Sequence, residues 1–570
     1  MTTKRTNPED KRQPGFPELE RLYRAGKLSR RDFMRVTALL GAGGLAAACV
    51  SGPAAVPPTA APAAAQAATA APAPTVAPAP TAAAAATAVP APAKSKVLRM
   101  AITQNQATSF DIASTGSGSV PIDTMMYEWL VRYKDGTADV EPWLAKSWEM
   151  SADNTTATFK LQEGVQWQKG YGEFTADDVK FTIDRMINEK LPEAENWKNL
   201  DHIEVVDKYT VKFVMKSPSP TLFSLSLPFQ AGMIMCKKAV EELGAKAFNE
   251  TPVGTGPYEI VSYDPQQGVR FKKYDKYWGT RALDVDEVLW AFPKDPLTAM
   301  QAGDIDMVAT ALMGTLADAA KVKDTVSASR LTRYWWISLP VNNAILKDIN
   351  ARKAIRAALD IDPIVEASSL GMGVRGYAMV PPGIPGYWAD APQYKQDVAQ
   401  AKQFMKDAGY PDGFTVPFLA MSSPADPGVE LIRQQLEAVG IKLDVTSVDG
   451  DTWWSLAPKG EHMLLISYQT LPDGGYTLQY FVTDQFWNTM KWSNKQFDDL
   501  NAKVAAEMDP KVRNEQLIQM QKLMDDDCAM AYVGYQPQGA VYRKGILNLG
   551  TNDEALLVNG VLDSSRVRMA

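Results

Sequence analysis

The sequence predicts a mixed α/β fold built from two or more lobes. Three observations predict it. Residues 254–279 carry a β-hairpin pattern: strand-forming runs at Tyr258–Val261 and Val269–Lys273 flank the turn Asp264-Pro265-Gln266-Gln267-Gly268. Residues 427–445 read as a helix closed by Gly440 and followed by the alternating strand Ile441, Leu443, Val445, a unit common in α/β proteins. The chain has 570 residues, and a single hydrophobic core seldom grows past roughly 250–300.

In chain order, the first 48 residues read as an address. Ser29-Arg30-Arg31-Asp32-Phe33 has a twin-arginine form, and the uncharged run Val36–Ala48 is shorter than the roughly 20 apolar residues that span a bilayer. Leu45-Ala46-Ala47-Ala48-Cys49 resembles a lipoprotein signal, with Cys49 as the acylated residue; an ordinary Ala-x-Ala cleavage site is the alternative. Residues 49–95 are almost wholly Ala, Pro, Thr, Val, Ser and Gly, too poor in apolar bulk to offset chain entropy, and read as a disordered tether. The reading is of an exported protein, lipid-anchored at the outer face of the cytoplasmic membrane, in the periplasm or on the cell surface.

The body starts with the apolar strand Val97–Thr103 and the loop Thr108-Ser109-Phe110-Asp111. Ile122, Met125, Met126 and Leu130 predict a helix over 121–133. A strand follows at 154–161. Thr175 is placed to cap a helix, Asp177 and Asp178 favour its positive end, and Val179, Ile183, Met186 and Ile187 make its buried stripe. Further on come the aromatic strand Arg330–Leu339, a helix at 350–359 capped by Asn350, and a helix at 397–408 capped by Asp397 with Val398, Ala401, Met405 and Ala408 on one face. Phe497, Leu500 and Val504 mark another helix, and Asp509-Pro510 opens the last long one.

Several phrases together carry a resemblance. They are Val253-Gly254-Thr255-Gly256-Pro257-Tyr258 with Tyr277-Trp278-Gly279, Ala145-Lys146-Ser147-Trp148-Glu149, Phe174–Phe181 (FTADDVKF), Ala302–Asp306 (AGDID), Pro381–Tyr387 (PPGIPGY) and Asp407–Phe414 (DAGYPDGF). Their order over 97–549 resembles the bacterial extracellular solute-binding proteins of family 5, the peptide, dipeptide and oligopeptide-binding components of ABC transporters. Trp167-Gln168-Lys169-Gly170 departs from the usual Phe-His-x-Gly. The resemblance implies a periplasmic-binding-protein-like fold with three lobes: a discontinuous first lobe at 96–330 holding a smaller inserted lobe at about 135–250, a second large lobe at 331–540, and a return to the first at 541–570. It also implies a ligand cleft between two hinged lobes, an ABC permease as partner, and a monomer.

Composition and chemistry narrow the function. Residues 1–48 carry a formal +5, so the remainder carries −12, which argues against a nucleic-acid surface. The two histidines, His202 and His462, lack Cys or His partners at ligand spacing, so no metal or other cofactor is expected. Cys236 and Cys528 read as free buried thiols rather than a disulfide framework. Fourteen Trp suit a cleft walled by aromatic rings. The candidates are Trp335 or Trp336, Trp453 or Trp454, Trp487 and Trp492, with Tyr468 and, from the family's cleft-bordering segment, Ser109 and Phe110.

In the family a segment Gly-Trp-x-x-Asp reads a peptide's ammonium. Ser467-Tyr468 in the Gly-Trp place puts Leu471 at the Asp position, and the nearest carboxylate is Asp473. Either Asp473 does this work from a longer loop, or no ammonium is read; Asp473-Gly474-Gly475 as a plain turn is the bland alternative. The leading expectation is therefore a substrate-binding protein taking a peptide-like solute. An oligosaccharide ligand stacked on Trp rings is the alternative, and a secreted carboxylate-based glycosidase a more remote one; no enzyme is expected.

Overall fold

The computed structural model describes residues 96–102, 109–113, 119–134, 139–279, 285–422, 425–545, 547–548, 557–558, 561–564 and 567–569. Arg30, Arg31 and Cys49 lie outside them. Nine strands form the main sheet. In spatial order these are Leu464–Gln469, Thr325–Ser338, Met530–Arg543, Met307–Ala311, Val97–Ala101, Glu287–Ala291, Gly268–Lys273 and Tyr258–Asp264, with Val374–Arg375 paired to Met530–Arg543. A second, four-stranded antiparallel sheet comprises Ala145–Met150, Thr156–Leu161, Leu200–Asp207 and Thr210–Met215. The hairpin 258–273 forms at its expected place.

Two 14-residue strands, Thr325–Ser338 and Met530–Arg543, tie the halves of the body together. One end of the pair meets Met307–Ala311, and the other meets Leu464–Gln469. Their ladder slips at Thr332, which lies between the pairs Leu331–Pro537 and Arg333–Gln536. Pro537 has no N–H to give at that point, so the bulge falls where the ladder is weakest. Gly539 sits so close to the partner strand that a Cβ there would stand 1.9 Å from the Ala328 carbonyl oxygen.

Side chains alternate across this sheet. Trp335 and Ile337 enter one core with Ile355, Ile364, Phe418 and Ile432, while Tyr334 and Trp336 enter another with Ile466, Leu478, Phe481, Leu517 and Met520. A third core joins the other end of the main sheet to the four-stranded sheet, through Met100, Phe159, Phe213, Tyr258, Phe271 and Trp290.

The phrase at 253–258 has a packing reason. A Cβ at Gly254 would lie 1.8 Å from the Met126 carbonyl oxygen, and one at Gly256 2.7 Å from the same atom. The Gly256 N–H donates to that oxygen at 2.8 Å. The Tyr277-Trp278 phrase closes the same region. Tyr277 Oη and Trp278 Nε1 each donate to the buried Glu128 carboxylate at 2.8 Å, joined by Trp143 Nε1 at 2.7 Å. Burial still holds the Glu128 carboxyl above its usual range.

Several expectations are corrected. The helix at 121–133 is only Val120–Met126; Tyr127 is extended, and Val131–Tyr133 is a strand. The helical period continued to Leu130, but the Met126 and Glu128 carbonyls are taken by Gly256 and Ile234 N–H groups. Ile187 is exposed, so the stripe of helix Ala176–Asn188 is Val179, Ile183 and Met186. Its start is a capping box of Thr175 and Asp178. The cap of helix Ile349–Ala358 is Asp348, not Asn350. Val398 is exposed. Cys236 and Cys528 are free and buried.

One buried acid gives a pH prediction. Asp123 is fully buried, accepts from Ser119 Oγ at 2.7 Å, and has its pKa raised to about 8, first by burial. Between its ordinary value near 4 and about 8 the folded chain holds a proton that the unfolded chain has lost. This one group therefore subtracts stability as pH rises through that window. Asp123→Asn is expected to match the parent near pH 4 and to exceed it by a few kcal/mol at pH 8. Urea unfolding at both pH values checks this; an equal difference at both would refute it.

Candidate functional site

The strand Leu464–Gln469 ends in a short turn, and Asp473 then caps helix Gly474–Gln479. One Asp473 oxygen accepts from the Gly475 and Tyr476 N–H groups at 2.8 and 3.3 Å and from Arg513 Nη2 at 2.7 Å. The other accepts from Ser224 Oγ at 3.3 Å. Ser224 belongs to segment Leu222–Ser226, whose Leu222 and Phe223 pack with the core of the opposite end of the body. Asp473 thus sits where the two ends of the body meet, with its charge matched by Arg513 and by the helix N-terminus. The two glycines after it are steric requirements. A Cβ at Gly474 would be 2.3 Å from the Pro385 carbonyl oxygen, and one at Gly475 2.6 Å from Arg513 Nη2.

An aromatic wall runs away from this junction. Tyr334 stacks on Trp336 at 5.3 Å, and Trp336 meets Tyr468 edge-on at 4.9 Å. Tyr468 contacts Tyr480 and Trp487, Tyr480 contacts Tyr476, and Trp487 contacts Trp454 and Phe486. The wall is graded. Tyr334 and Trp336 are fully buried, Tyr468 is 8% exposed, and Trp487, Trp454 and Phe486 are 37%, 40% and 59% exposed. Tyr468 Oη donates to the Trp487 carbonyl at 2.9 Å, which ties the inner and outer rings. Tyr334 Oη, Trp336 Nε1, Thr332 Oγ1, Thr470 Oγ1 and Thr477 Oγ1 are buried without a partner among the described residues. Native interiors seldom leave so many polar atoms unmatched in one neighbourhood.

Across from the wall stand Tyr133 and Glu193. Tyr133 Oη donates to the Ser224 carbonyl at 2.6 Å, and its hydroxyl is pushed up by burial and then by the Asp473 charge. Glu193 is half-buried and meets Asn196 Nδ2 at 2.9 Å. Burial raises its carboxyl to about 7. Burial also raises the Tyr476 hydroxyl, and the Glu193 charge adds to that rise, so the two groups sense each other across the junction.

The predicted residues divide by location. Asp473, Tyr468, Trp336, Trp487, Trp454 and Trp453 are gathered on one side of the junction; Trp453 is buried and T-shaped to Trp454 at 4.8 Å. Trp335 is buried on the opposite face of the sheet. Trp492 is buried and donates to Asp527 Oδ2 at 2.9 Å. Ser109 Oγ donates to Asn249 Oδ1 at 2.7 Å, and Phe110 is buried against Tyr263 within the first core. The sequence reading missed Glu193, Ser224, Arg513, Tyr334, Tyr476 and Tyr480. Only the spacing of Tyr476 and Tyr480, four apart after a capping Asp, was visible locally.

Comparison with known proteins agrees with this architecture. Residues 139–489 match the family model described as Bacterial extracellular solute-binding proteins, family 5 Middle. The chain is 28% identical over 470 residues to the Dipeptide-binding protein of Escherichia coli K12, covering 75% of this chain and 86% of that one. It is 29% identical over 389 residues to the Glutathione-binding protein GsiB of the same strain, covering 64% and 75%. Among solved structures, it matches the ABC transporter-associated periplasmic binding protein DppA of Helicobacter pylori in complex with peptide STSA. There the TM-score is 0.70 at 23% identity, over 83% of this chain and 98% of that one. The ABC transporter substrate binding protein CtaP of Listeria monocytogenes matches with a TM-score of 0.73 at 22% identity, over 84% and 100%. The fold is that of these periplasmic binding proteins, and the chain belongs to family 5 of the bacterial extracellular solute-binding proteins.

Proposed function

We propose that this chain is the substrate-binding subunit of an ABC importer, taking a peptide-like solute between its two ends and handing it to the membrane permease without chemical change. The observation that carries the reading is the junction itself. A graded aromatic wall and a group of unmatched buried polar atoms face Tyr133, Ser224 and Glu193 where Asp473 and Ser224 touch. Aromatic faces supply area, and the polar atoms supply orientation. A ligand there gains contacts from both ends only when they close, so it favours the closed state by its differential affinity. The bulged strand pair is the proposed hinge, between a first lobe at 96–330 with its insert and a second at 331–540. The relatives that bind a dipeptide and glutathione support a peptide-like ligand.

Within this reading Glu193, rather than Asp473, meets the ligand's ammonium. The Asp473 charge is already satisfied by Arg513, whereas Glu193 has an amide neighbour and, among the described residues, no cation in contact. A carboxyl held near pH 7 gains most from an incoming cation. Peptide affinity is therefore expected to rise as pH increases through about 7, where Glu193 ionises, and to level above it. Titration of dipeptides and tripeptides into the body from about residue 96 tests both points. Glu193→Gln is expected to weaken binding about tenfold or more and to remove the pH rise. Peptides that bind the variant as well as the parent would refute the assignment, and failure of every peptide would refute the ligand class.

At the N-terminus, Arg30 and Arg31 are proposed as the export signal, Cys49 as the lipid anchor, and 49–95 as the tether that lets a monomeric body reach the permease. The basis is the order of those segments in the sequence.

A further inference from the structure

One face of the long strand pair is apolar at both ends and polar in the middle. At one end Trp335 and Val533 enter the core around Ile355 and Phe418; at the other Ala328, Ala540 and Tyr542 enter the core around Met100 and Trp290. Between them, at the bulge, Arg333 stands directly across from Gln536, with Gln538 next on the same side of its strand. A continuous core would place apolar residues there. The strip is instead a polar floor between the two ends of the body. Floor and aromatic wall lie on opposite faces of the sheet and meet at its outer strand, Leu464–Gln469. Tyr468 of that strand belongs to the wall, and Ser467 holds Arg333.

Arg333 carries a charge that no described residue answers. Its Nε donates to Ser467 Oγ at 3.2 Å, and its Nη2 donates to the Ser467 carbonyl at 3.0 Å and hydroxyl at 3.1 Å. Among the described residues Nη1 has no acceptor, and no carboxylate pairs with the group. Burial lowers its pKa, and the Tyr334 hydroxyl opposes that shift. The side chain is half-buried rather than sealed, so solutes reach it from water. Gln538 is 6% exposed, and its Oε1 has no partner among the described residues. A desolvated cation without a counter-charge and a buried acceptor without a donor are both costly in the empty protein. One ligand that carries an anion and an N–H satisfies both.

We propose that Arg333 reads a carboxylate of the solute, with Gln538 Oε1 accepting one of the solute's N–H groups. The assignment rests on the peptide-binding role proposed above and adds to it: the solute is a free acid, not merely peptide-like. An arginine fork matches a planar carboxylate, and the unspent Nη1 supplies donors for it. A solute lying along the outer strand touches Arg333 from one face of the sheet and the aromatic wall from the other.

The test is calorimetric titration of the full-length protein with free-acid dipeptides and tripeptides and with their C-terminal amides, at pH 8, where Glu193 is ionised. The parent is expected to prefer the free acids about tenfold or more, and Arg333→Gln to remove that preference by weakening the free acids alone. Arg333→Lys keeps the charge and loses the fork, so it is expected to keep only part of the preference. Gln538→Leu is expected to weaken acid and amide alike, about fivefold, because both forms carry the N–H. Should Arg333→Gln fail to fold, the parent and Arg333→Lys decide between them. Equal binding of acid and amide by the parent, or a preference that the Arg333 variants leave unchanged, would overturn the proposal and leave the peptide reading standing. Gln538→Leu without effect would remove Gln538 from the site. Failure of every peptide to bind the parent would overturn both readings together.

Discussion

Gly254→Ala is expected to be among the most damaging single substitutions in the body, although it adds one methyl group. The new Cβ would stand 1.8 Å from the Met126 carbonyl oxygen and 2.6 Å from its carbon. Both are backbone atoms, so no side chain can swing away. The Met126 oxygen is also the acceptor for the Gly256 N–H. Relief of the clash must therefore break a buried hydrogen bond or shift the helix end that carries Met125 and Met126, both fully buried. Strain, lost packing and a lost hydrogen bond together put the cost at about 4 kcal/mol or more. A neighbouring control isolates the cause. Gly314, in helix Met313–Ala319, has nothing within 4 Å of a built Cβ, and Gly314→Ala is expected to be neutral or to stabilise by about 0.5–1 kcal/mol. Urea unfolding midpoints of the two variants against the parent make the comparison. A Gly254→Ala protein as stable as the parent would show that the close approach is not what the glycine is for.

Arg513→Met is expected to destabilise the empty protein by about 3–5 kcal/mol, because it strands a buried carboxylate. Asp473 is 4% and Arg513 9% exposed at the side chain, so water cannot replace the lost partner. Asp473→Asn should cost less. Asparagine keeps an oxygen for the Gly475 and Tyr476 N–H groups, and the arginine left behind still donates to the Val504 carbonyl at 3.2 Å. The double variant should recover part of the Arg513→Met loss, since no unpaired carboxylate remains. Unfolding without ligand measures all three. If Asp473→Asn instead leaves stability untouched and abolishes peptide binding, Asp473 is the ammonium reader and the assignment to Glu193 falls.

Much of the architecture could be read from the chain because it depends on neighbours in sequence. A turn rich in Gly, Pro and Asp between two strand runs specifies a hairpin, and the hairpin 258–273 is there. An Asp before a Pro that opens an apolar run of helical period marks a helix start, and Asp426, Asp509 and Asp295 each cap one. The family phrases were legible for the same reason. Their glycines and aromatics answer fixed local geometries, as with Gly254, Gly256 and the Tyr277-Trp278 pair on Glu128. The local reading went wrong where a distant segment competes for the same backbone groups. The helix from Val120 stops at Met126 because residues 234 and 256 take the carbonyls it would need.

Only the tertiary structure decided the site. Nothing near Asp473 in the sequence announces Arg513, 40 positions on, or Ser224, 249 positions earlier. Folding brings them together, and with them it decides that the Asp473 charge is satisfied inside the protein. Adjacent tryptophans 335 and 336 were known to face opposite ways, but which one joins the aromatic wall depended on which core each face of the sheet covers. Glu193 was one acid among 66 Asp and Glu. Partial burial near Tyr476, with no cation in contact among the described residues, is what separates it from the rest. Local geometry is written residue by residue, whereas desolvation and charge pairing depend on what the whole fold places nearby.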